Sequence, residues 1–227
     1  MTERTVVVLG ATGGLGRAVT ERFRDEGAAV LAFDARIPPV GEGQDGVSYV
    51  AVDALDEAGV SAAFAQVPGF PAPAAVVNLI GGYTPPQALS MLDVGVLRQQ
   101  FELNLVTAAI VTKYAMPALA ARGGGAIVHV SSRVALEKWE NAFAYSVTKL
   151  GVVRLVEEAA VEGRDAGVRV NCILPSIIDT PANRAALPGA RHDTWPKPSE
   201  LAAVLAFLVS DDAVLISGAA IPVYGLA

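Results

Sequence analysis

Short runs of β-branched and aliphatic residues alternate along this chain with longer stretches that repeat at helical spacing. The apolar runs predict strands over Thr5–Leu9, Ala29–Phe33, Val47–Val52, Ala74–Leu79, Gly125–Val130, Arg169–Leu174 and Ala220–Val223. The helical stretches are Leu15–Glu26, Asp56–Val67, Val94–Ala121, Ala142–Glu162 and Ser199–Leu208. The strand runs are almost wholly apolar rather than alternating, as expected of strands covered on both faces. Strand–helix alternation with such strands predicts a single-domain, doubly wound α/β fold: a parallel sheet of about seven strands with helices on both faces.

Nothing divides the chain, so residues 1–227 are expected to form one domain. Ile37–Gly46 and Val67–Ala74 read as Pro/Gly loops of ordinary length, and Gly123–Gly125 as a helix exit. Residues 180–198 are longer and hold Pro181, Pro188, Pro196 and Pro198 just before the last helix, which makes them the best candidate for a lid over a site.

Composition narrows the function classes. The chain is 52% hydrophobic, with net charge −6 and no Lys/Arg-rich run, which argues against a nucleic-acid partner. The apolar run Val6–Leu9 is too short for a signal segment. The long apolar pattern Leu103–Ala121 is interrupted by Asn104, Thr107, Thr112, Lys113 and Pro117, which argues against a membrane span. Cys172 is the one cysteine and sits in an apolar run, as a buried structural thiol does. His129 and His192 lack ligand spacing, so no metal is expected. A cytoplasmic protein is the expectation.

The candidate chemistry begins with Tyr145 and Lys149, four apart and therefore one turn apart on a helix face. A cation beside a phenol stabilises phenolate and lowers a pKa that is ordinarily about 10, so such a Tyr can exchange a proton with a substrate oxygen. A Tyr packed on the core with a solvated Lys gives the same spacing. Upstream, the first strand runs into Gly10-Ala-Thr-Gly13-Gly14-Leu15-Gly16 and then a helix, a turn that lets backbone approach a pyrophosphate at the helix N-terminus. Asp34 ends the second strand, where a carboxylate accepts bonds from ribose hydroxyls and repels a 2′-phosphate; this favours NAD(H), with nearby Arg36 leaving NADP(H) open. Asp53 ends the third strand, placed equally for an adenine edge or for capping its own loop. Asn78, Gly81 and Gly82 close the fourth strand at the carboxyl edge, where ligands gather in such sheets.

Together these residues resemble the short-chain dehydrogenase/reductase family over essentially the whole chain. Gly10, Gly14 and Gly16 match its T-G-x-x-x-G-x-G turn, with Leu9 in place of Thr. Asn78 and Gly81 match the ends of N-N-A-G, with Leu79 and Ile80 between them. Asn104 falls at the family's helix Asn, Ser132 lies 13 residues before Tyr145 as the family Ser does, and Tyr145 and Lys149 match Y-x-x-x-K. Asn171, Pro175 and Thr180 match N-x-x-x-P-G and the following Thr, with Ser176 replacing Gly. The resemblance implies a catalytic set of Asn104, Ser132, Tyr145 and Lys149. In it Lys149 also holds nicotinamide ribose, and Asn104 binds a water linking Lys149 to solvent. It implies Pro175, Ile178 and Thr180 on the nicotinamide side, and a homodimer or homotetramer.

The implied activity is hydride transfer between nicotinamide and a small carbonyl or alcohol, with Tyr145 as proton donor or acceptor. Gly81-Gly82-Tyr83, residues 179–188 and Trp195-Pro196 also resemble the dihydropteridine reductase subgroup, although those reductases lack the Ser that Ser132 supplies. A non-catalytic dinucleotide sensor is the alternative of another class. The chain is too short for the added substrate domain of sugar-nucleotide epimerases. Bland readings stand beside each role: Ser131 and Ser132 as strand-end caps, Asn104 as a buried helix amide, and Thr180 as a turn residue. Tyr83, Arg133, Trp139, Asn183 and Trp195 are candidates for the substrate pocket or for lid packing.

Overall fold

The computed structural model describes residues 4–39, 43–66 and 73–227. Seven strands form one sheet: β1 (Thr5–Leu9), β2 (Ala29–Asp34), β3 (Val47–Ala51), β4 (Pro73–Asn78), β5 (Gly125–Val130), β6 (Val168–Pro175) and β7 (Ala220–Val223). Their order is β3-β2-β1-β4-β5-β6-β7, and every neighbouring pair is parallel. The chain steps outward from β1 to β3 and then returns to lay β4 on the other side of β1. The switch point therefore falls between β1 and β4, where their carboxyl ends diverge and leave a crevice.

Strand alternation divides the core in two. Val7, Leu9, Val76 and Ile127 face one layer with Val60, Phe64, Val111, Leu119 and Val156. Val6, Val8, Val77 and Val128 face the other with Val19, Phe23, Leu201 and Leu205. The first layer holds α2 (Glu57–Gln66), α4 (Thr107–Ala120) and α5 (Phe143–Glu162), and the second holds α1 (Gly14–Asp25) and α7 (Pro198–Val209). Both faces are thus dry, which is why the strands carry no polar alternation.

The expected elements are present with ends shifted by a residue or so. Parts of the two expected loops, residues 40–42 and 67–72, and the expected helix end at Val67 lie outside the described residues. Gly123 and Gly124 leave α4 at φ of 89° and 122°, and Gly124 donates to the Leu119 carbonyl, as a helix exit requires. Two expectations need correcting. The stretch expected as one helix over Val94–Ala121 is α3 (Val94–Phe101), a π-helical turn (Glu102–Val106) and α4. Residues 180–198 are not all loop, since Pro181–Ala186 form a short helix, α6, capped by Thr180.

The Val94–Ala120 stretch is long and apolar enough to cross a membrane by length and composition. In this fold Ala108, Val111, Ala115 and Leu119 are buried against the sheet, as in a core helix.

Candidate active site

The cofactor end is built from the turn between β1 and α1. Gly13 sits at the N-cap with no side-chain bond, and the first turn of α1 carries no acidic residue, so its N–H groups are left for an anion. A Cβ at Gly16 would stand 2.1 Å from the Gly10 carbonyl oxygen, so the turn closes only around glycine. Asp34 ends β2 beside it. Its Oδ2 accepts from both the backbone N–H and the hydroxyl of Thr12, each at 2.9 Å, and its Oδ1 accepts from Arg36 N–H at 3.3 Å. These residues fit a dinucleotide: bare helix N–H groups for phosphate and a fixed carboxylate for ribose hydroxyls. Asp53 is exposed, and its Oδ1 caps Leu55 N–H at 3.0 Å, in keeping with the loop reading.

Leu9, Leu79 and Ile80, where family polar groups are missing, join the two apolar layers. Polar ties come instead from Asn78. Its amide approaches His129 Nδ1 at 3.2 Å, and its Oδ1 accepts from Ile80 N–H at 3.1 Å. At the far end of this turn, Asn104 Oδ1 accepts from Gly82 N–H at 2.9 Å, and Asn104 Nδ2 donates to Gly82 O and Gln100 Oε1, both at 3.0 Å. The π turn widens the helix where Asn104 enters the site, a usual place for such turns. The side chain of Asn104 therefore acts first as a clamp on Gly82, a role that sequence spacing does not suggest. A Cβ on Gly81 would lie 2.7 Å from Lys149 Nζ and 2.8 Å from Asn104 Oδ1, so backbone, cation and amide converge there.

The end of β5 organises Ser132, Tyr145 and Lys149. Val130 O accepts from Lys149 Nζ at 3.0 Å, Ser131 Oγ donates to Lys149 O at 2.7 Å, and the Ser132 side chain lies beside the Tyr145 phenol. Consecutive residues of one strand end thus fix the lysine head and the helix backbone and set a hydroxyl beside the tyrosine. Ser131, which the sequence suggests only as a strand cap, is buried and holds α5 in place.

The expectation that Lys149 lowers the Tyr145 pKa is corrected here. Burial is the main influence and raises the phenol above its ordinary value; the neighbouring Ser132 hydroxyl opposes this, and Tyr83 adds to it. Lys149 Nζ lies 5.8 Å from the phenol ring centroid and spends a bond on Val130 O. Burial pushes Lys149 itself down to about 8. The buried Lys149 head is held by the Val130 carbonyl.

Of the pocket candidates, Tyr83 meets the Tyr145 ring edge-on at a centroid separation of 5.2 Å. A cleft beside Tyr145 is lined by Thr84, Gln87, Leu92, Asn141 and Ala144, among others. Gln87 N–H donates to Asn141 O at 2.7 Å, which ties the two walls together. Gln87 and Asn141 carry no motif in the sequence, although Asn141 at φ 60° is a residue type that tolerates that conformation. Trp139 is half exposed beside α5. The other candidates serve packing. Arg133 pairs with Glu137 and lies over Tyr224, Asn183 donates to Ile178 O, and Trp195 is buried against His192. Asp179 N–H donates to Pro196 O at 2.9 Å, joining the two ends of the 180–198 stretch. Thr180 caps α6 and lies against the glycine turn near Gly14. Ser176, in place of glycine, donates to Tyr224 O at 2.7 Å and so ties the loop following Pro175 to the chain after β7. Cys172 is fully buried, its thiol pushed up to about 12, and is inert. No group of three or more potential metal ligands occurs among the described residues.

Comparison with known proteins settles the family. The short chain dehydrogenase family model matches residues 4–190. The chain belongs to the short-chain dehydrogenase/reductase family. It is 34% identical to cis-4-hydroxycyclohexanecarboxylate dehydrogenase of Sinomonas cyclohexanicum, over 98% of this chain and 96% of that protein. It is 30% identical to D-threitol dehydrogenase of Mycolicibacterium smegmatis, over 98% and 92%. Among solved structures, a short-chain type dehydrogenase/reductase from Mycobacterium ulcerans superposes with a TM-score of 0.91 at 28% identity, covering all of this chain and 90% of that one. The protein is accordingly an oxidoreductase of this family.

Proposed function

We propose that this family member is an NAD(H)-linked dehydrogenase of a small secondary alcohol or the matching carbonyl, with Tyr145 as the proton-transferring residue. The observation that carries this reading is the convergence of Ser132, Tyr145 and Lys149 at the carboxyl edge of β5, beside the glycine turn and the Asn78–Gly82 turn. Bound nicotinamide supplies or accepts the hydride. In the reducing direction Tyr145 gives its proton to the carbonyl oxygen as negative charge grows there, and Ser132 donates a hydrogen bond to that oxygen. In the oxidising direction Tyr145 receives the hydroxyl proton. A phenol raised by burial is a ready donor at neutral pH, so approach of the Lys149 charge is needed before it becomes a good base. Lys149 binds ribose hydroxyls, and Asn104 holds the water that passes protons to solvent. Asp34 selects NAD(H) over NADP(H). The named relatives act on a hydroxycyclohexanecarboxylate and on threitol, which supports a secondary alcohol as the reacting group. By family resemblance the protein works as a homodimer or homotetramer, and in the cytoplasm.

A non-catalytic dinucleotide sensor has no need of Ser132, Tyr145 and Lys149 held together, and the presence of Ser132 beside Tyr145 also separates this site from dihydropteridine reductases. The test measures NADH and NADPH binding, then turnover on cyclic and acyclic ketones with a quinonoid dihydropterin included. Tyr145→Phe is expected to lose about 10²–10⁴-fold in kcat, the range of general acid–base contributions, with NADH affinity retained. Wild-type turnover in that variant overturns the assignment.

A further inference from the structure

His129 has no ligand spacing in the sequence, yet it is completely buried at the end of β5 and lies between two polar partners. Its Nδ1 is 3.2 Å from Asn78 Nδ2, and its Nε2 is 3.0 Å from Thr112 Oγ1. Thr112 in turn donates to Ala108 O at 2.8 Å within α4. In the register of the sheet His129 stands between Asn78 on β4 and Cys172 on β6.

The direction of every bond in this series is forced. The Thr112 hydroxyl has one proton and spends it on Ala108 O, so toward His129 it accepts. The imidazole proton therefore sits on Nε2, and Nδ1 accepts. Only an N–H of Asn78 satisfies Nδ1, so the Asn78 amide nitrogen turns to His129 and its oxygen turns to Ile80 N–H, 3.1 Å away. The opposite tautomer would place N–H against N–H at Asn78 or at Ile80. A neutral ring fits the site, since burial and the nearby Lys149 charge both disfavour protonation. Asn104 pins the other end of the same turn through Gly82, so residues 78–82 are held from α4 on one side and from the π turn on the other.

We propose that His129, in its Nε2–H tautomer and fixed by Thr112, is a positioning residue that sets the Asn78 amide and hence the Ile80–Gly81 backbone against which the nicotinamide ribose rests. This rests on assigning that turn to the cofactor, as in the function proposed above. His129 touches neither reacting atom. It carries the register of α4 into the cofactor wall, in place of the polar groups that Leu79 and Ile80 lack.

The experiment uses the full chain. His129→Phe keeps a ring and removes both nitrogens. His129→Asn keeps an acceptor at the same distance from the backbone as Nδ1 and loses the bond to Thr112. Thr112→Val removes the acceptor of Nε2–H. NADH dissociation constants and kcat at saturating NADH are measured for each, with thermal melting to confirm the folded fraction. His129→Phe and Thr112→Val are expected to weaken NADH binding about tenfold, the effect of one unpaired buried polar group, while kcat stays within about threefold. His129→Asn, which keeps the acceptor for Asn78, is expected to bind NADH more tightly than His129→Phe although both lose the bond to Thr112, a rescue that a purely structural role would not produce. Nitrogen-15 NMR is expected to show a neutral Nε2–H imidazole from pH 5 to 8.

A folded His129→Phe or Thr112→Val variant with wild-type NADH affinity overturns the proposal, as does an Nδ1–H ring or one that titrates in that range. Where His129→Phe does not fold, Thr112→Val and the NMR signature decide. A wild-type protein that binds neither NADH nor NADPH refutes the cofactor assignment itself, which separates the two failures.

Discussion

Thr12 grips Asp34 with two donors, its backbone N–H and its hydroxyl, both 2.9 Å from the same carboxylate oxygen. The glycine turn and the end of β2 are thereby joined before any ligand arrives. Preorganisation of this kind reduces the ordering that binding would otherwise require. It also fixes the Asp34 carboxylate at the end of β2, beside the glycine turn.

Asp34→Ser is expected to exchange that charge for a small donor. The ratio of kcat/KM for NADH to that for NADPH should fall by about 10–100-fold, the scale of removing one charge-assisted hydrogen bond to ribose and relieving one repulsion of phosphate. Thr12→Val should move the ratio the same way but less, because the carboxylate remains and only its orientation loosens. Steady-state kinetics with both cofactors checks this, and an unchanged ratio in Asp34→Ser would remove Asp34 from cofactor selection.

Lys149 exposes a conflict between folding and chemistry. It is buried with its pKa pushed down to about 8 from 10.5, so at pH 7 the fold carries a charged group that its surroundings disfavour. Lys149→Met fills the same space without the charge. The variant is expected to be more stable than the wild type by about 1–3 kcal/mol at pH 7 while losing turnover. Above pH 8 the folded wild-type lysine deprotonates ahead of the unfolded one. The wild type therefore regains stability between pH 8 and 10.5, and the gap narrows. Denaturant unfolding at pH 7 and pH 10 measures both effects, and a Lys149→Met variant less stable at pH 7 contradicts the argument.

Much of this site is legible in the sequence because its residues obey local periods. Tyr145 and Lys149 share a helix face at 3.6 residues per turn, and Asp34 and Asn78 follow apolar runs that end where strands end. The apolar continuity of β1, β4 and β5 likewise reveals a sheet covered on both faces. What stays hidden depends on contacts between distant segments or on burial. The Val130 carbonyl that holds Lys149 comes from another element and has no sequence signature. The direction of the Tyr145 shift follows from desolvation, which residue identity does not disclose. The π turn at Asn104 has the same apolar spacing as the α-helices on either side. Helix α6 spans six residues in a proline-rich stretch, yet Thr180 before Pro181 is an N-cap followed by proline at the first helical position, a signal present in the sequence.

Arg169 holds the far end of α7 and offers a test of the scaffold apart from the chemistry. Its guanidinium donates to the carbonyls of Leu208, Ser210 and Ile216, the first two at the end of α7. Leu208 lies in the last turn of α7, where carbonyls lack an intrahelical donor, and a planar fork reaches several acceptors at once. Arg169→Ala is expected to destabilise the protein by about 2–3 kcal/mol, and Arg169→Lys by somewhat less, since a single ammonium spans fewer of the three. Because Arg169 lies near the start of β6, at the sheet edge opposite the cofactor turn, kcat of the folded protein should be preserved. Chemical denaturation with parallel kinetics measures this, and equal stability of Arg169→Ala and wild type would show the three bonds to be dispensable.

His129 makes the acid limb of stability predictable. In the fold its pKa is lowered to about 4 from 6.5, by burial first and by Lys149 second. Below pH 6.5 the unfolded chain takes up a proton that the folded chain refuses, so stability falls as pH falls and the loss is complete near pH 4. The full contribution is about 3 kcal/mol, with a limiting slope of about 1.4 kcal/mol per pH unit between those values. Glu57 and Asp179, whose carboxyls are held below their ordinary values by Lys113 and by Arg184, also lose stability in acid. Those losses occur equally in His129→Asn, which has no imidazole to protonate. The difference in unfolding free energy between wild type and His129→Asn is therefore expected to shrink as pH drops from about 6.5 to about 4.5. Urea titrations of both proteins across that range measure it, and parallel curves would mean that the ring accepts a proton inside the fold.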